Sequence, residues 1–111
     1  MSTIFLILLK NTLLLQIDFK KYTEAAALSA QGLEIFPAQP LLYLLNGVAH
    51  IGLNKADAAI ESLETGVDFL LDDPKMEKDF YEQLELAYTQ KGDSRKASQY
   101  AQKAAQIKSP N

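Results

Sequence analysis

The chain has 111 residues, of which 48% are hydrophobic, and a formal net charge of -3 with a pI near 5.0. This is enough material for a single domain with a core of its own. Cysteine is absent, which excludes a disulfide framework, thiolate zinc sites and a cysteine nucleophile but leaves the compartment open. The acidic balance argues against a nucleic-acid partner, because clustered Lys and Arg bind phosphates.

The charge is distributed unevenly. Residues 1–53 carry three basic and three acidic side chains. Residues 54–90 carry three basic and ten acidic side chains, and residues 91–111 carry five basic and one acidic side chain. Such a gradient is typical of solvated helix faces. The alternative is an acidic patch that attracts a basic partner.

The first predicted helix, residues 3–17, is apolar on more than one face. It lacks the basic start and the cleavage site of a signal peptide. Lys10 and Asn11 interrupt the apolar run well before the ~18 residues that a membrane span requires. We therefore predict a buried helix and no membrane insertion. A helix that is apolar on two sides must be covered by a preceding element or by a partner chain.

Proline, glycine and aspartate divide the remaining chain into five further helices. Pro37 and Pro40 end one helix and begin the next, and Asp93 after Gly92 is placed to cap the last one. The apolar spacing follows the helical period, and no strand is predicted. The predicted helices are 20–36, 40–53, 55–71, 74–91 and 93–108. We thus expect one all-α domain, residues 1–111, of three helical hairpins at approximately 3–37, 38–73 and 74–111.

The second and third hairpins repeat one pattern of aromatic and small residues. The pattern is Tyr43, Gly47, Ala49 and Ala59, echoed by Tyr81, Glu85, Ala87 and Ala97. A helical repeat of about 34 residues cannot bury its apolar faces alone, so it must pack against a neighbouring repeat.

The repeat interval lengthens along the chain. Ala25 and Ala59 are 34 residues apart, whereas Ala59 and Ala97 are 38 apart. Four extra residues near Pro74 are about one helical turn. We expect a local protrusion there that carries Asp72, Asp73, Lys75, Glu77 and Lys78.

With these residues in register, the chain resembles the tetratricopeptide repeat family from Leu6 to Asn111. The matching residues are Tyr22, Glu24, Ala25 and Pro37; Tyr43, Gly47, Ala49, Ala59 and Gly66; and Tyr81, Leu84, Ala87, Tyr88, Gly92, Asp93, Ala97 and Ala104. The resemblance implies a right-handed α-α superhelix of three stacked hairpins, in which small residues allow helices to cross closely. Leu13, Ser29, Gly32 and Glu85 depart from the family pattern, and the first hairpin is the least regular.

The resemblance also implies a protein-interaction module whose first helices line a concave face that holds an extended peptide or a helix. The expected partner-binding residues are Lys10, Leu14, Ile17, Leu41, Leu44, Val48, Ile51, Glu82, Leu86, Thr89 and Gln90. Apart from Lys10, the Lys, Asn and Arg residues with which chaperone-binding members clamp a terminal carboxylate are missing, so we exclude that mode. The alternative is that this apolar groove packs against further repeats or another copy.

Catalytic and metal sites receive little support. His50 is the only histidine and has no companion for a metal site. Asp72, Asp73 and Glu77 lie at a helix junction, where acidic residues commonly cap helices. No nucleophile arrangement and no phosphate-binding loop is present. We expect neither an enzyme nor a cofactor.

Two functions follow. The first is a scaffold that binds a protein or peptide partner. The second is self-association, as a homodimer or as part of a longer array, because no polar capping helix follows the last hairpin to cover Tyr100, Ala104 and Ile107. We also expect Gly47→Leu to disrupt folding, and Leu44→Ser to alter binding more than stability.

Overall fold

The structure is a computed structural model that describes residues 3–108. The ends of the predicted domain, residues 1–2 and 109–111, lie outside the described residues. The helices are α1 (Thr3–Asp18), α2 (Tyr22–Ile35), α3 (Pro40–Gly52), α4 (Ala56–Val67), α5 (Pro74–Lys91) and α6 (Ser94–Gln106). No strand occurs between residues 3 and 108, so the predicted all-α class is confirmed.

The end of α4 differs most from the prediction, since the helix stops at Val67 and does not continue to residue 71. The amides of Asp68, Phe69 and Leu70 bond to carbonyls three residues back, which tightens the last turn. The Phe69 ring then stacks on Tyr43, with ring centroids 5.5 Å apart and planes 9° apart. This aromatic contact accompanies the departure of the chain from the helix. The other boundaries agree within two residues.

Each helix packs against the next one in the chain, and α3 also contacts both α1 and α5. The helices α2, α4 and α6 make no comparable contact with one another. The first helices of the three pairs therefore lie side by side, with α3 in the middle. We call α1, α3 and α5 the first-helix layer.

The core consists of two clusters that meet at α3. The first core cluster joins α1, α2 and α3 through Leu9, Leu13, Ala25, Leu42, Leu45 and Ala49. The second joins α3 to α6 through Leu44, Ala59, Ile60, Leu63, Phe80, Leu84, Ala87, Tyr88 and Ala97. Since α3 contributes buried side chains to both clusters, it is the element that connects the two halves.

A buried polar network crosses this junction. The Asn46 side-chain amide donates to Ser29 Oγ at 2.9 Å and to the Ala26 carbonyl at 3.3 Å, while Ser62 Oγ donates to Asn46 Oδ1. Ser29 Oγ itself donates to the Ala25 carbonyl at 2.7 Å. Three helices are thus joined with their buried polar groups bonded, as burial requires. The departure of Ser29 from the repeat pattern is explained by its bond to Asn46.

Two glycines set the distance between neighbouring helices. A Cβ on Gly47 would lie 2.5 Å from Leu63 Cγ, and one on Gly66 would lie 2.5 Å from Tyr43 Cβ and 2.7 Å from Phe80 Cε1. No side chain fits at such distances without a shift of the neighbour. Gly47 therefore has the close-packing role that its place in the repeat predicts.

Candidate functional site

Ten of the eleven predicted partner-binding residues are at least partly accessible. Leu14, Glu82, Leu86, Thr89 and Gln90 are exposed, and Lys10, Ile17, Leu41, Val48 and Ile51 are half-buried. Leu14 and Leu86, 43% and 51% exposed, are the large apolar side chains most open to a partner in this set. They lie on α1 and α5, with α3 between.

Leu44 is the exception, because it is not accessible to a partner in this structure. It is only 7% exposed and belongs to the second core cluster. A serine there would leave a cavity and bury a hydroxyl, so Leu44→Ser is expected to lower stability. The earlier expectation that this substitution mainly alters binding is replaced.

A hydrogen bond joins two of the predicted residues, which lie on different helices. The side-chain amide of Gln90 donates to the Ile51 carbonyl and to Asn54 Oδ1, both at 3.0 Å. These bonds attach the carboxyl end of α5 to that of α3. Gln90 therefore has a structural role in the first-helix layer in addition to its exposed position.

At the other end of the layer, Lys10 and Leu41 line a common cleft of about 310 Å³. Eight further residues complete the wall, and none of them was predicted to bind a partner: Ala38, Gln39, Pro40, Phe69, Leu70, Leu71, Asp73 and Met76. The missed signal is the apolar run at residues 69–71 directly before two aspartates and a proline. Leu71, in this run, is 88% exposed.

The electrostatics of this cleft involve two charged lining residues. Asp73 Oδ1 accepts from the Met76 amide at 3.0 Å and thereby caps α5. Lys10 contributes an ammonium group beside the apolar wall. The arrangement suits an apolar side chain of a partner, with a cation at its edge. No group of three or more His, Cys, Asp and Glu within residues 3–108 could hold a metal ion.

The protrusion expected near Pro74 stays a prediction, and two features of this segment bear on it. The helix α5 has 18 residues and α3 has 13, and Asp72, Asp73 and Lys75 are exposed, whereas Glu77 and Lys78 are half-buried.

Tyrosines join the last three helices around one carboxylate. Glu64 Oε2 accepts from Tyr88 Oη at 2.8 Å and from Tyr100 Oη at 3.1 Å, and these two rings stack with centroids 5.7 Å apart. Burial raises the pKa of Tyr100 to about 12, with a further contribution from the Glu64 carboxylate. Burial and Glu64 also raise the pKa of Tyr88. Both phenols stay protonated near neutral pH and can donate to Glu64.

A second cleft of about 300 Å³ lies between α5 and α6. Its wall is made of small or polar residues: Glu85, Thr89, Gly92, Ser94, Ala97, Ser98 and Ala101. Glu85 occupies a position where the repeat pattern has a small residue. Its half-buried place at this open cleft explains how the longer side chain is accommodated.

Within the chain, α1 buries one face, through Leu9 and Leu13. The covering of its second face by a preceding element or a partner chain stays a prediction. Within residues 3–108, the helices that contact α1 are α2 and α3, and its opposite face is exposed. Among the described residues, no helix combines the length and the apolar character needed to cross a bilayer.

Comparisons with protein-family models, with curated proteins and with solved structures gave no match.

Proposed function

We propose that the chain is a helical-repeat scaffold that binds a peptide or a helix of another protein. In this proposal the three helix pairs form a right-handed superhelix of the tetratricopeptide type, and the first-helix layer is its concave face. The observation that carries the proposal is the side-by-side contact of α1 with α3 and of α3 with α5. The repeat pattern and the close approach at Gly47 and Gly66 support it.

The accessible side chains suggest the chemistry of the partner. The 310 Å³ cleft offers an apolar wall for one anchoring side chain. Leu86 and the half-buried Val48 provide further apolar surface on α5 and α3. Exposed Glu82 on the same layer favours a partner segment that also carries a basic residue. We therefore propose an apolar segment flanked by a basic residue.

A pair of exposed-site variants tests this proposal. Wild type, Leu86→Glu and Ala105→Glu are immobilised, and proteins retained from an extract of the source cells are quantified by mass spectrometry. Leu86 lies on α5, whereas Ala105 is exposed on α6, outside the first-helix layer. We expect a partner that Ala105→Glu retains like wild type and that Leu86→Glu retains at least ~10-fold less. Equal retention by both variants contradicts the use of this face.

Self-association is the second candidate function. The specific observation in its favour is the accessible apolar side of α1, where Ile4 is 68% exposed and Leu8 is 58% exposed. Large apolar side chains in one region of a surface mark interaction sites. We propose no catalytic residue and no cofactor.

A further inference from the structure

The exposed side chains of α1 follow a regular spacing. Ile4, Leu8 and Leu15 are 68%, 58% and 58% exposed, and exposed Asn11 lies between them. The intervals of four, three and four residues place these positions on one side of a helix. We call Ile4, Leu8, Asn11 and Leu15 the outer stripe. On the other side of the helix, Leu9 is 6% exposed and Leu13 is fully buried.

The area around the outer stripe is large enough for a protein interface. Ile7, Leu14 and Phe19 extend it, at 51%, 43% and 70% exposure. Together with the three apolar stripe residues they expose roughly 600 Å² of side chain, which is at the upper end for the largest apolar patch of a monomer. Two such surfaces in contact would bury about 1,200 Å², the lower limit for specific interfaces.

The composition of the outer stripe suits a second copy of the same chain. A two-fold axis places like residues near one another, and the stripe contains no charged side chain that would be repelled. Asn11, near its middle, carries a donor and an acceptor, so two copies of this amide can satisfy each other. A single polar residue within an apolar helix seam is a known way to fix register.

A lipid surface is the less favoured occupant. Helices that lie in a membrane interface carry several Lys or Arg on their polar face, whereas α1 contains one basic residue, Lys10, which is half-buried at the cleft. We propose that the outer stripe is a homodimer interface at which α1 packs against α1 of a second copy. This inference rests on the self-association candidate described above.

Sedimentation of three variants locates the interface. Leu8→Glu and Leu15→Glu each place a carboxylate on the outer stripe, and Ala105→Glu is the control, because Ala105 is exposed on α6, outside both the outer stripe and the first-helix layer. We expect a wild-type dimer at micromolar concentration, an unchanged dimer for Ala105→Glu, and dissociation constants at least ~10-fold higher for the stripe variants. Circular dichroism verifies that all variants remain folded.

Contrary results would distinguish the outer stripe as interface from self-association in general. A dimer that persists in Leu8→Glu and Leu15→Glu overturns the outer stripe as interface while self-association stands. A wild-type monomer over the whole dilution series overturns both. If that monomer binds anionic lipid vesicles, and Leu8→Glu does not, the stripe is a lipid-binding face instead. Partner retention in the Leu86→Glu experiment is an independent readout of the scaffold proposal.

Cross-linking offers a second measurement because the chain lacks cysteine. Asn11→Cys places one thiol in the outer stripe, and Ser98→Cys places one at an exposed site on α6. Under mild oxidation at low protein concentration, we expect covalent dimers at least ~10-fold faster for Asn11→Cys, because the interface raises the effective concentration of the second thiol. Equal rates for the two variants would contradict the proposed contact.

Discussion

The two ends of the helix series are held in different ways. At one end, α1 contributes Leu9 and Leu13 to the first core cluster, and Gln16 Oε1 is buried without a hydrogen-bond partner. At the other end, Asp73 and Asp93 cap α5 and α6 through backbone amides three residues on. Tyrosines bonded to Glu64 tie these helices to α4.

This contrast indicates which end of the molecule another chain would stabilise most. The caps and the tyrosine–Glu64 bonds already pair these polar groups of α5 and α6. The helix α1 has an apolar surface that a further chain can remove from water. The proposed self-association therefore concerns α1. The predictions below test whether the second core cluster is more rigid than the first.

The largest expected difference is between two glycines, one beside each core cluster. A Cβ on Gly66 would lie 2.5 Å from Tyr43 Cβ, which is attached to the backbone, whereas one on Gly32 would lie 2.7 Å from Leu9 Cδ2, the end of a flexible side chain. We expect Gly66→Ala to lower the free energy of unfolding by about 3 kcal/mol. Gly32→Ala should change it by less than about 1 kcal/mol, because better helix propensity offsets a small shift of Leu9. Urea denaturation measures both.

A control for Gly66→Ala lies on the same helix. Thr65→Ala alters an exposed side chain and should stay within about 0.5 kcal/mol of wild type. Equal losses for Gly66→Ala and Gly32→Ala would show that the first core cluster is as rigid as the second.

Helix capping provides a test with a smaller expected effect, in which one cap is removed and another is added. Asp93 caps α6 with φ -97° and ψ 82°, and Lys21 precedes α2 with the similar values -89° and 67° but makes no side-chain cap bond. Asp93→Ala should cost about 1 kcal/mol, and Lys21→Asp should add about 0.5 kcal/mol, because its carboxylate accepts an otherwise unpaired amide. Thermal and urea unfolding measure both changes.

Lys21→Ala separates capping from charge, since it removes the ammonium without supplying an acceptor. It should leave stability nearly unchanged. If Lys21→Ala stabilises the chain as much as Lys21→Asp does, the cause is loss of the positive charge near the α2 terminus. The proposed difference between the two caps would then be wrong.

The sequence predicted those features that depend on neighbouring residues. Pro74 and the Gly92-Asp93 pair mark the start of α5 and the α5–α6 turn by local backbone chemistry. The end of α4 was missed because it involves the stacking of Phe69 on Tyr43, far away in the chain.

The candidate site was harder to predict than the helices. Both sides of α3 are apolar, so periodicity could not show that Leu44 faces the second core cluster. The cleft beside Lys10 combines three separate parts of the chain. Local patterns carry no information on which of those parts meet.

The smallest effect near neutral pH is expected from Glu64→Gln, at under about 1 kcal/mol, because the amide oxygen can still accept from the tyrosines. At alkaline pH the effect should grow. The unfolded tyrosine has a pKa of 10.0, and Tyr100 in the folded chain has one of about 12. Between these values the unfolded state has lost more protons, so the stability of wild type falls as pH rises.

Without the Glu64 charge, Tyr88 and Tyr100 should ionise at lower pH, and the alkaline loss of stability should be shallower. Tyrosinate absorbance and urea denaturation at several pH values measure these two changes. Glu77→Gln is the matched control, because Glu77 accepts from Tyr81 at 3.0 Å and lies outside the Glu64 pair. If Tyr88 and Tyr100 titrate in Glu64→Gln as they do in wild type, burial alone raises their pKa. The Glu64 carboxylate would then not be a feature that distinguishes this end of the molecule from α1.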